Sequence, residues 1–160
     1  MALLFQGVLY AVNLAHEWGG GAGVVARNVV EDFVIGIELT DTSDSTAGDN
    51  VIHMTTGTSG CPVGTALWSY VWADQHDLAF IGNTIDGALD PAFTATAFPS
   101  GGYPAILVWA RNPHAATLTN LVIANNEISV TGTAPRIALM DTATGEIASA
   151  TIAVNSFTAT

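Results

Sequence analysis

The stretch "ALMDTATGEIAS" (residues 138–149) carries the clearest local structural signal in this chain and decides the predicted fold. An apolar run leads into Asp141, and Gly145 follows shortly after it. Asp favours the start of a turn, and Gly supplies the left-handed residue that closes a tight hairpin. The stretch therefore predicts two strands that fold back on each other and pair antiparallel.

Short apolar segments separated by turn residues continue this pattern in both directions. The predicted strands are 29–42, 51–54, 66–72, 78–81, 104–110, 117–124, 127–132, 136–141 and 146–154. Within 29–42, alternation places Phe33, Ile37 and Leu39 on one mostly apolar face, as in a half-buried strand. Neither face of 146–154 is strongly polar, which predicts a strand between two covered faces.

These strands predict an all-β fold of the β-sandwich or jelly-roll type, with about nine or ten short strands and little helix. Helix is expected only as short turns, near 73–80 and 86–92, and no repeat of fixed period is visible. Residues 1–160 are interpreted as a single β domain. The alternative is a subdivision near residue 100, with 104–160 forming an immunoglobulin-like unit.

The charge balance limits the possible partners. The chain has three Arg and no Lys against 14 acidic residues, for a net charge of -11. So few cations cannot build a phosphate-binding surface, so direct nucleic-acid binding is not expected. Membrane insertion is not expected either, because no run reaches the ~18 apolar residues of a spanning helix. The apolar start lacks a charged leader and is interpreted as part of the mature fold.

The surface is predicted to be partly covered by other subunits. Hydrophobic residues make up 49% of the chain and charged residues only 11%, against roughly 25% in ordinary domains. An isolated monomer with this composition would expose a large apolar surface to water. We therefore expect a homo-oligomer. The single Cys excludes an intrachain disulfide.

The segment "TTGTSGCPVG" (55–64) contains two residues that resemble nucleophiles, Ser59 and Cys61. A nucleophile elbow requires Gly-x-Ser-x-Gly between a strand and a helix. Here Cys61 replaces the second Gly, Pro62 follows at once, and no helical pattern begins. Cys61 also lacks a local signature of a partner base. The segment is predicted to be a loop, and no catalytic residue is predicted.

Two acidic segments could in principle bind a metal ion. In "ADQHDLAF" (73–80), Asp74, His76 and Asp77 offer two carboxylates and an imidazole. The other histidines, His16, His53 and His114, are remote in sequence, so a solvated turn is the expected structure. "DTSDSTAGDN" (41–50) is rich in Asp but lacks the spacing of an EF-hand loop. No metal ion or cofactor is predicted.

Glycine and tryptophan patterns are also weak signals of function. "HEWGGGAG" (16–23) does not match the glycine spacing of a phosphate-binding loop and has no Lys. Tryptophans on separate strands could line a sugar-binding surface, but we expect them to fill the core or a subunit contact. They are Trp18, Trp68, Trp72 and Trp109.

In size, composition and strand pattern, the whole chain resembles the small β-rich decoration (cement) proteins of bacteriophage heads. The Ala/Thr/Gly-rich second half with "ALMDTATGEIAS" also resembles the β-sandwich modules of phage structural proteins. The resemblance implies a non-enzymatic virion protein, assembled in the host cytoplasm. It implies a homo-oligomer, with a trimer favoured, that binds the major capsid protein or another virion protein and stabilises the head.

Other functions are consistent with the same residues. One is a phage tail or head-fibre component, and another is a carbohydrate-binding β-sandwich whose exposed Trp side chains stack on sugar rings. A hydrolase is the third alternative. Binding of glycans by the isolated protein would distinguish the carbohydrate-binding module from a cement protein, which would instead co-purify with particles.

Overall fold

The computed structural model describes residues 4–5, 8–15, 21–31, 33–54, 64–88, 103–110, 115–133, 135–142 and 144–158. Within these ranges the secondary structure is β-strand joined by turns, with no helix. The strands form three sheets, and every pairing between described strands is parallel.

Each sheet takes one strand from every successive pass of the chain. Sheet 1 contains β1 (Leu4–Phe5), β4 (Val29–Glu31), β7 (Val51–Met54), β10 (Thr84–Ala88), β13 (Glu127–Thr131) and β17 (Ser156–Phe157). Sheet 2 contains β2 (Val8–Ala15), β5 (Phe33–Thr40), β8 (Thr65–Tyr70), β11 (Ile106–Ala110) and β14 (Ile137–Asp141). Sheet 3 contains β3 (Gly23–Ala26), β6 (Ser45–Gly48), β9 (Gln75–Ile81), β12 (Thr117–Ala124), β15 (Glu146–Ile147) and β16 (Ala150–Ala153), the last two both paired with β12.

The chain therefore winds as a three-sided parallel β-solenoid, in which each coil visits sheets 1, 2 and 3 in turn. The predicted sandwich or jelly roll is wrong, because all the pairings are parallel and no strand pairs with its neighbour in sequence; apart from β15 and β16, sequence neighbours also lie in different sheets. Each strand pairs instead with its counterpart one coil away. All three sheets contain strands from before and after residue 100.

The predicted hairpin at 138–149 shows why the fold prediction failed. A turn does form there: Thr142 N–H donates to Gly145 O at 3.1 Å, and Ile147 N–H donates to Asp141 Oδ1 at 2.9 Å. This turn carries the chain from β14 in sheet 2 to β15 in sheet 3. A Cβ at Gly145 would lie 2.5 Å from Ala110 O, so a close backbone approach excludes a side chain there.

Several local predictions also change. The predicted strand 29–42 is two strands, β4 and β5, in different sheets, although Phe33, Ile37 and Leu39 of β5 do face the core. Strand β9 replaces the short helical turn expected near 73–80, and residues 86–88 of the turn expected at 86–92 belong to β10; residues 89–92 lie outside the described residues. Strand β16 lies at the surface with three of its four residues exposed, so the expectation of two covered faces for 146–154 is wrong.

Apolar columns fill the interior of the solenoid. In sheet 1, Val30, Ile52, Ile85 and Ile128 occupy the same register position in four successive coils, and all are 0% exposed. In sheet 3, Phe80 pairs in register with Ile123, both also fully buried. Each such side chain contributes about 1.5–3 kcal/mol through removal of apolar surface from water. Burial of these stacked side chains along the axis therefore stabilises the contact between coils.

A ladder of asparagines fixes the turn between sheets 3 and 1. It consists of Asn28, Asn50, Asn83, Asn126 and Asn155, one per coil. The side-chain amide of each of the first four donates a hydrogen bond to Oδ1 of the next asparagine. A residue with positive φ precedes each of them: Arg27 (φ 58), Asp49 (φ 54), Gly82 (φ 70), Asn125 (φ 57) and Val154 (φ 54). The same turn is thus repeated in every coil, with the asparagine satisfying backbone groups that the turn leaves unpaired.

Candidate functional site

The most distinctive surface is a group of aromatic side chains on the outer face of sheet 2. Alternation along β8 directs Leu67 and Ser69 inward, where both are 0% exposed, and leaves Trp68 and Tyr70 partly exposed. Trp72, two residues further on, is 49% exposed. Period-two alternation in a strand thus places three aromatic residues on one side.

Strand β11 and the residues before it complete this group. Tyr70 pairs in register with Trp109, which is also partly exposed, and Tyr103 lies beside Trp68. We call Trp68, Tyr70, Trp72, Tyr103 and Trp109 the aromatic platform.

The rings of the platform contact one another in a continuous chain. The ring centroids of Trp68 and Tyr70 are 6.3 Å apart, and their ring planes meet at only 22°. The ring centroids of Tyr70 and Trp72 are 5.0 Å apart. Tyr103 approaches Trp68 at 5.7 Å, and Trp109 meets Tyr70 edge-on at 6.0 Å. Such pairs each contribute about 0.5–1.5 kcal/mol beyond their buried area. The rings therefore hold one another in place and need no ligand to be ordered.

Hydrogen bonds from the neighbouring coil position the backbone under the platform. The Thr40 hydroxyl accepts from Tyr70 N–H at 3.1 Å. Asp41 Oδ1 accepts from the N–H groups of Trp72 and Ala73 at 2.9 and 3.0 Å, and from Gln75 Nε2 at 3.2 Å. A single carboxylate thus shapes the turn that presents Trp72.

A buried carboxyl lies beside the platform. Glu38 of β5 pairs in register with Trp68 and is 8% exposed. The Thr40 hydroxyl donates to Glu38 Oε1 at 2.7 Å. Burial raises the pKa of Glu38; the Thr40 hydrogen bond opposes this shift, and the Asp41 carboxylate adds to it. On the other side of Glu38, exposed Asn13 of β2 pairs in register with it.

The tryptophan prediction is therefore wrong in part. Trp68 on β8, Trp72 just after β8 and Trp109 on β11 converge on one surface instead of filling the core. Trp18 lies outside the described residues. The parallel pairing of β8 with β11 brings these tryptophans together. That pairing could be predicted only by recognising that the chain repeats coil by coil.

A second polar group lies on sheet 3 and includes two residues of the predicted metal candidate. Donor atoms of Asp44, His76 and Asp77 lie within 4.8 Å of one another, and all three residues are exposed. Asp74 is not part of this group. Its Oδ1 instead accepts a hydrogen bond from Thr117 N–H at 2.9 Å. His76 Nδ1 lies 3.0 Å from Asp77 Oδ2. The group is a cluster of solvent-exposed polar side chains.

Neighbouring groups explain the electrostatics of this cluster. Asp77 accepts a hydrogen bond from the Asn120 side-chain amide, and this bond, followed by that with His76, lowers the pKa of Asp77. The acidic residues of 41–50 do not converge on one site. Asp41 shapes the platform turn, Asp44 joins the cluster, and Asp49 precedes a ladder asparagine.

A polar row on sheet 1 was not predicted from the sequence. Glu31, His53, Asp86 and Ser129 occupy one register position in successive coils, each three residues after a ladder asparagine. His53 Nδ1 lies 2.8 Å from Asp86 Oδ1. Ser129 is two strands away from His53, roughly 9–10 Å at ordinary strand spacing, so the row does not form a Ser–His–Asp triad.

Ser59, Cys61, His16 and His114 lie outside the described residues. The expectation that Ser59 and Cys61 are not catalytic stays a prediction. In the described part of the chain, no helix is long and apolar enough to cross a membrane.

Comparisons with known proteins give no match. No protein-family model, no curated protein and no solved structure is significantly similar to this chain.

Proposed function

We propose that the protein binds carbohydrate through the aromatic platform on sheet 2 and is not an enzyme. The observation that carries this proposal is the convergence of five aromatic rings with partly exposed surfaces, anchored by Trp72 at 49% exposure. The C–H faces of pyranose rings are apolar and pack against aromatic faces, while their hydroxyls need hydrogen-bonding partners at the edge. Exposed Asn13, in the same register row as Glu38 and Trp68, and exposed Asp74, two residues after Trp72, supply such groups near the rings.

The platform is suited to a polymer rather than to a single sugar. Its rings extend along β8 and across to β11, on the outer face of sheet 2. Successive strands are about 4.7–4.9 Å apart, comparable to the length of one pyranose unit. A chain of sugars can therefore contact several rings at once, and several weak stacking contacts add up to useful affinity.

Affinity electrophoresis in gels containing neutral glucans, mannans and galactans tests the proposal. We expect the wild-type protein to be retarded by at least one of them and Trp72→Ala to migrate freely. Phe157→Ala is the matched control, because Phe157 is an exposed aromatic residue (55%) on sheet 1, away from the platform. Equal retardation of all three proteins, or of none, would refute the proposal.

A second candidate function is a virion structural protein, a homo-oligomeric capsid decoration protein or a tail or head-fibre component. An apolar surface at the last described coil supports it. Ile152 and Phe157 continue the buried columns of Ile123 and Ile128, yet they are 50% and 55% exposed. Val154 is 81% exposed. Association of a second copy, or of another virion protein, at this end would cover them.

Sedimentation at low and moderate salt tests the association. We expect an oligomer that salt strengthens or leaves unchanged, because screening weakens repulsion between acidic subunits. The double variant Ile152→Ser with Phe157→Ser should be monomeric, whereas Trp72→Ala should remain oligomeric. A wild-type protein that is monomeric and never co-purifies with particles would exclude this second function.

A further inference from the structure

We propose that the ligand of the aromatic platform is an uncharged polysaccharide and that carboxylates around the platform exclude anionic ones. The inference rests on the proposed carbohydrate-binding function and specifies its substrate class. Its basis is the position of three acidic residues, Glu38, Asp41 and Asp74, which we call the carboxylate rim.

The rim residues are fixed close to the platform. Glu38 is the register neighbour of Trp68, Asp41 binds the backbone N–H of Trp72, and Asp74 follows Trp72 by two residues. Asp74 is exposed and is held by the backbone N–H of Thr117. Glu38 and Asp41 are thus buried next to the platform, at 8% and 9% exposure, and Asp74 is the exposed member of the rim.

Like-charge repulsion already acts within the rim. The Asp41 carboxylate, together with the larger effect of burial, raises the pKa of Glu38. A uronic acid or sulfated sugar stacked on Trp68 or Trp72 would add a further negative charge to the same region. An uncharged sugar would meet no such repulsion, and its hydroxyls would find an exposed acceptor in the carboxylate of Asp74.

The distribution of cations agrees with this selectivity. The chain has no Lys. Arg27 lies at the asparagine ladder, at the turn between sheets 3 and 1, and Arg136 donates to Gly132 O at 3.1 Å. Arg111, which follows β11, lies outside the described residues and is included in the test for that reason. The net charge of -11 adds a long-range barrier to anionic polymers.

The experiment compares two forms of one polysaccharide. Whichever neutral glucan, mannan or galactan binds is oxidised at C6, which converts its hydroxymethyl groups to carboxylates without changing the backbone. Affinity of the full-length protein for both forms is measured by calorimetry at about 10 mM and about 1 M salt, where the Debye lengths are about 30 Å and about 3 Å.

We expect the oxidised form to bind about tenfold more weakly at low salt, and the difference to shrink at high salt. Glu38→Gln should narrow the difference by improving binding of the oxidised form. Gln has the same shape and keeps an acceptor for Thr40, so the fold should be retained. Arg111→Ala should leave the preference for the neutral form unchanged.

Each other outcome is decisive. Equal or tighter binding of the oxidised form would overturn the inference and leave the carbohydrate-binding function intact. If the protein bound only natural anionic polysaccharides, and Arg111→Ala abolished that binding, the inference would also be overturned while the carbohydrate-binding function remained. If no polysaccharide binds, the proposed function fails and this inference fails with it.

Discussion

The side-chain amide of Asn50 donates to Oδ1 of Asn83 at 2.9 Å, one coil further along the solenoid, and both residues are buried. Asn83 in turn donates to Asn126 Oδ1 at 2.9 Å and to Ala47 O at 3.0 Å. Asn50 N–H also donates to Asn83 Oδ1, at 3.1 Å. One side chain thus satisfies backbone and side-chain groups of two other coils.

Asn83→Ala is therefore predicted to be strongly destabilising. It removes four hydrogen bonds of the side chain and leaves buried donors and an acceptor unpaired, which should cost about 3 kcal/mol or more. Asn155→Ala is the control, since Asn155 is only partly buried and sits on the last described coil. Urea denaturation should show a much smaller decrease in the free energy of unfolding for Asn155→Ala than for Asn83→Ala. Equal losses would contradict the role of the ladder.

Gly87→Ala should also destabilise the solenoid. Gly87 has φ +113, and a Cβ there would lie 2.2 Å from Met54 O on the adjacent strand. Strands β7 and β10 would have to separate, at a cost of about 2 kcal/mol or more. At Gly48 the nearest atom to an added Cβ is Ile81 O at 3.4 Å, so Gly48→Ala should stay within about 1 kcal/mol of wild type. Thermal denaturation of Gly87→Ala and Gly48→Ala measures this difference in stability.

Glu38→Gln should stabilise the protein at neutral pH. The folded-state pKa of Glu38 is raised above its ordinary value of 4.5, so the folded protein holds this proton more tightly than the unfolded chain. The wild type therefore loses stability as pH rises from about 4.5 through the folded-state pKa, and the variant does not.

The variant's stability advantage should grow as the pH rises through the folded-state pKa of Glu38 and should vanish well below pH 4.5. Urea denaturation of both proteins across this range gives the difference directly, because all other carboxylates are shared and cancel. A wild type more stable than the variant at high pH would show that ionised Glu38 is stabilised in the fold.

Asp41→Ala should weaken both stability and ligand binding. The change removes the acceptor of the Trp72 and Ala73 N–H groups and places Ala at φ 54, a left-handed conformation that Asp tolerates better. We expect a loss of about 2 kcal/mol together with reduced retardation on glycan gels. Asp41→Asn keeps the oxygen and should behave like wild type. If both variants bind glycan normally, the turn does not position Trp72.

The sequence predicted individual strands better than their arrangement. The segment 117–124 was predicted and observed with the same bounds, because β-branched runs between turn residues report local extension directly. Sheet pairing depends on contacts between residues 22 to 43 positions apart, as the ladder spacings show. Turn residues such as Asp141 and Gly145 mark a change of direction but do not specify which strand the chain then pairs with.

A signal for the repeat was nevertheless present. Each ladder asparagine is followed, two residues later, by a large apolar residue, in "NVV", "NVI", "NTI", "NEI" and "NSF". The coils between them differ in length, which hides the repeat from a search for a fixed period. Without that register, Trp68 and Trp109 could not be placed on one face, and the platform could not be predicted.

The most direct test of the central claim is to map ligand contacts by nuclear magnetic resonance. A neutral oligosaccharide from the best-binding polysaccharide is titrated into isotopically labelled protein, and backbone and indole N–H signals are followed. Binding at the platform should produce concentration-dependent shifts at Trp68, Tyr70, Trp72 and Trp109, and none at Val24 or Phe157. Shifts concentrated at Phe157 and the last coil, with the platform unchanged, would contradict it.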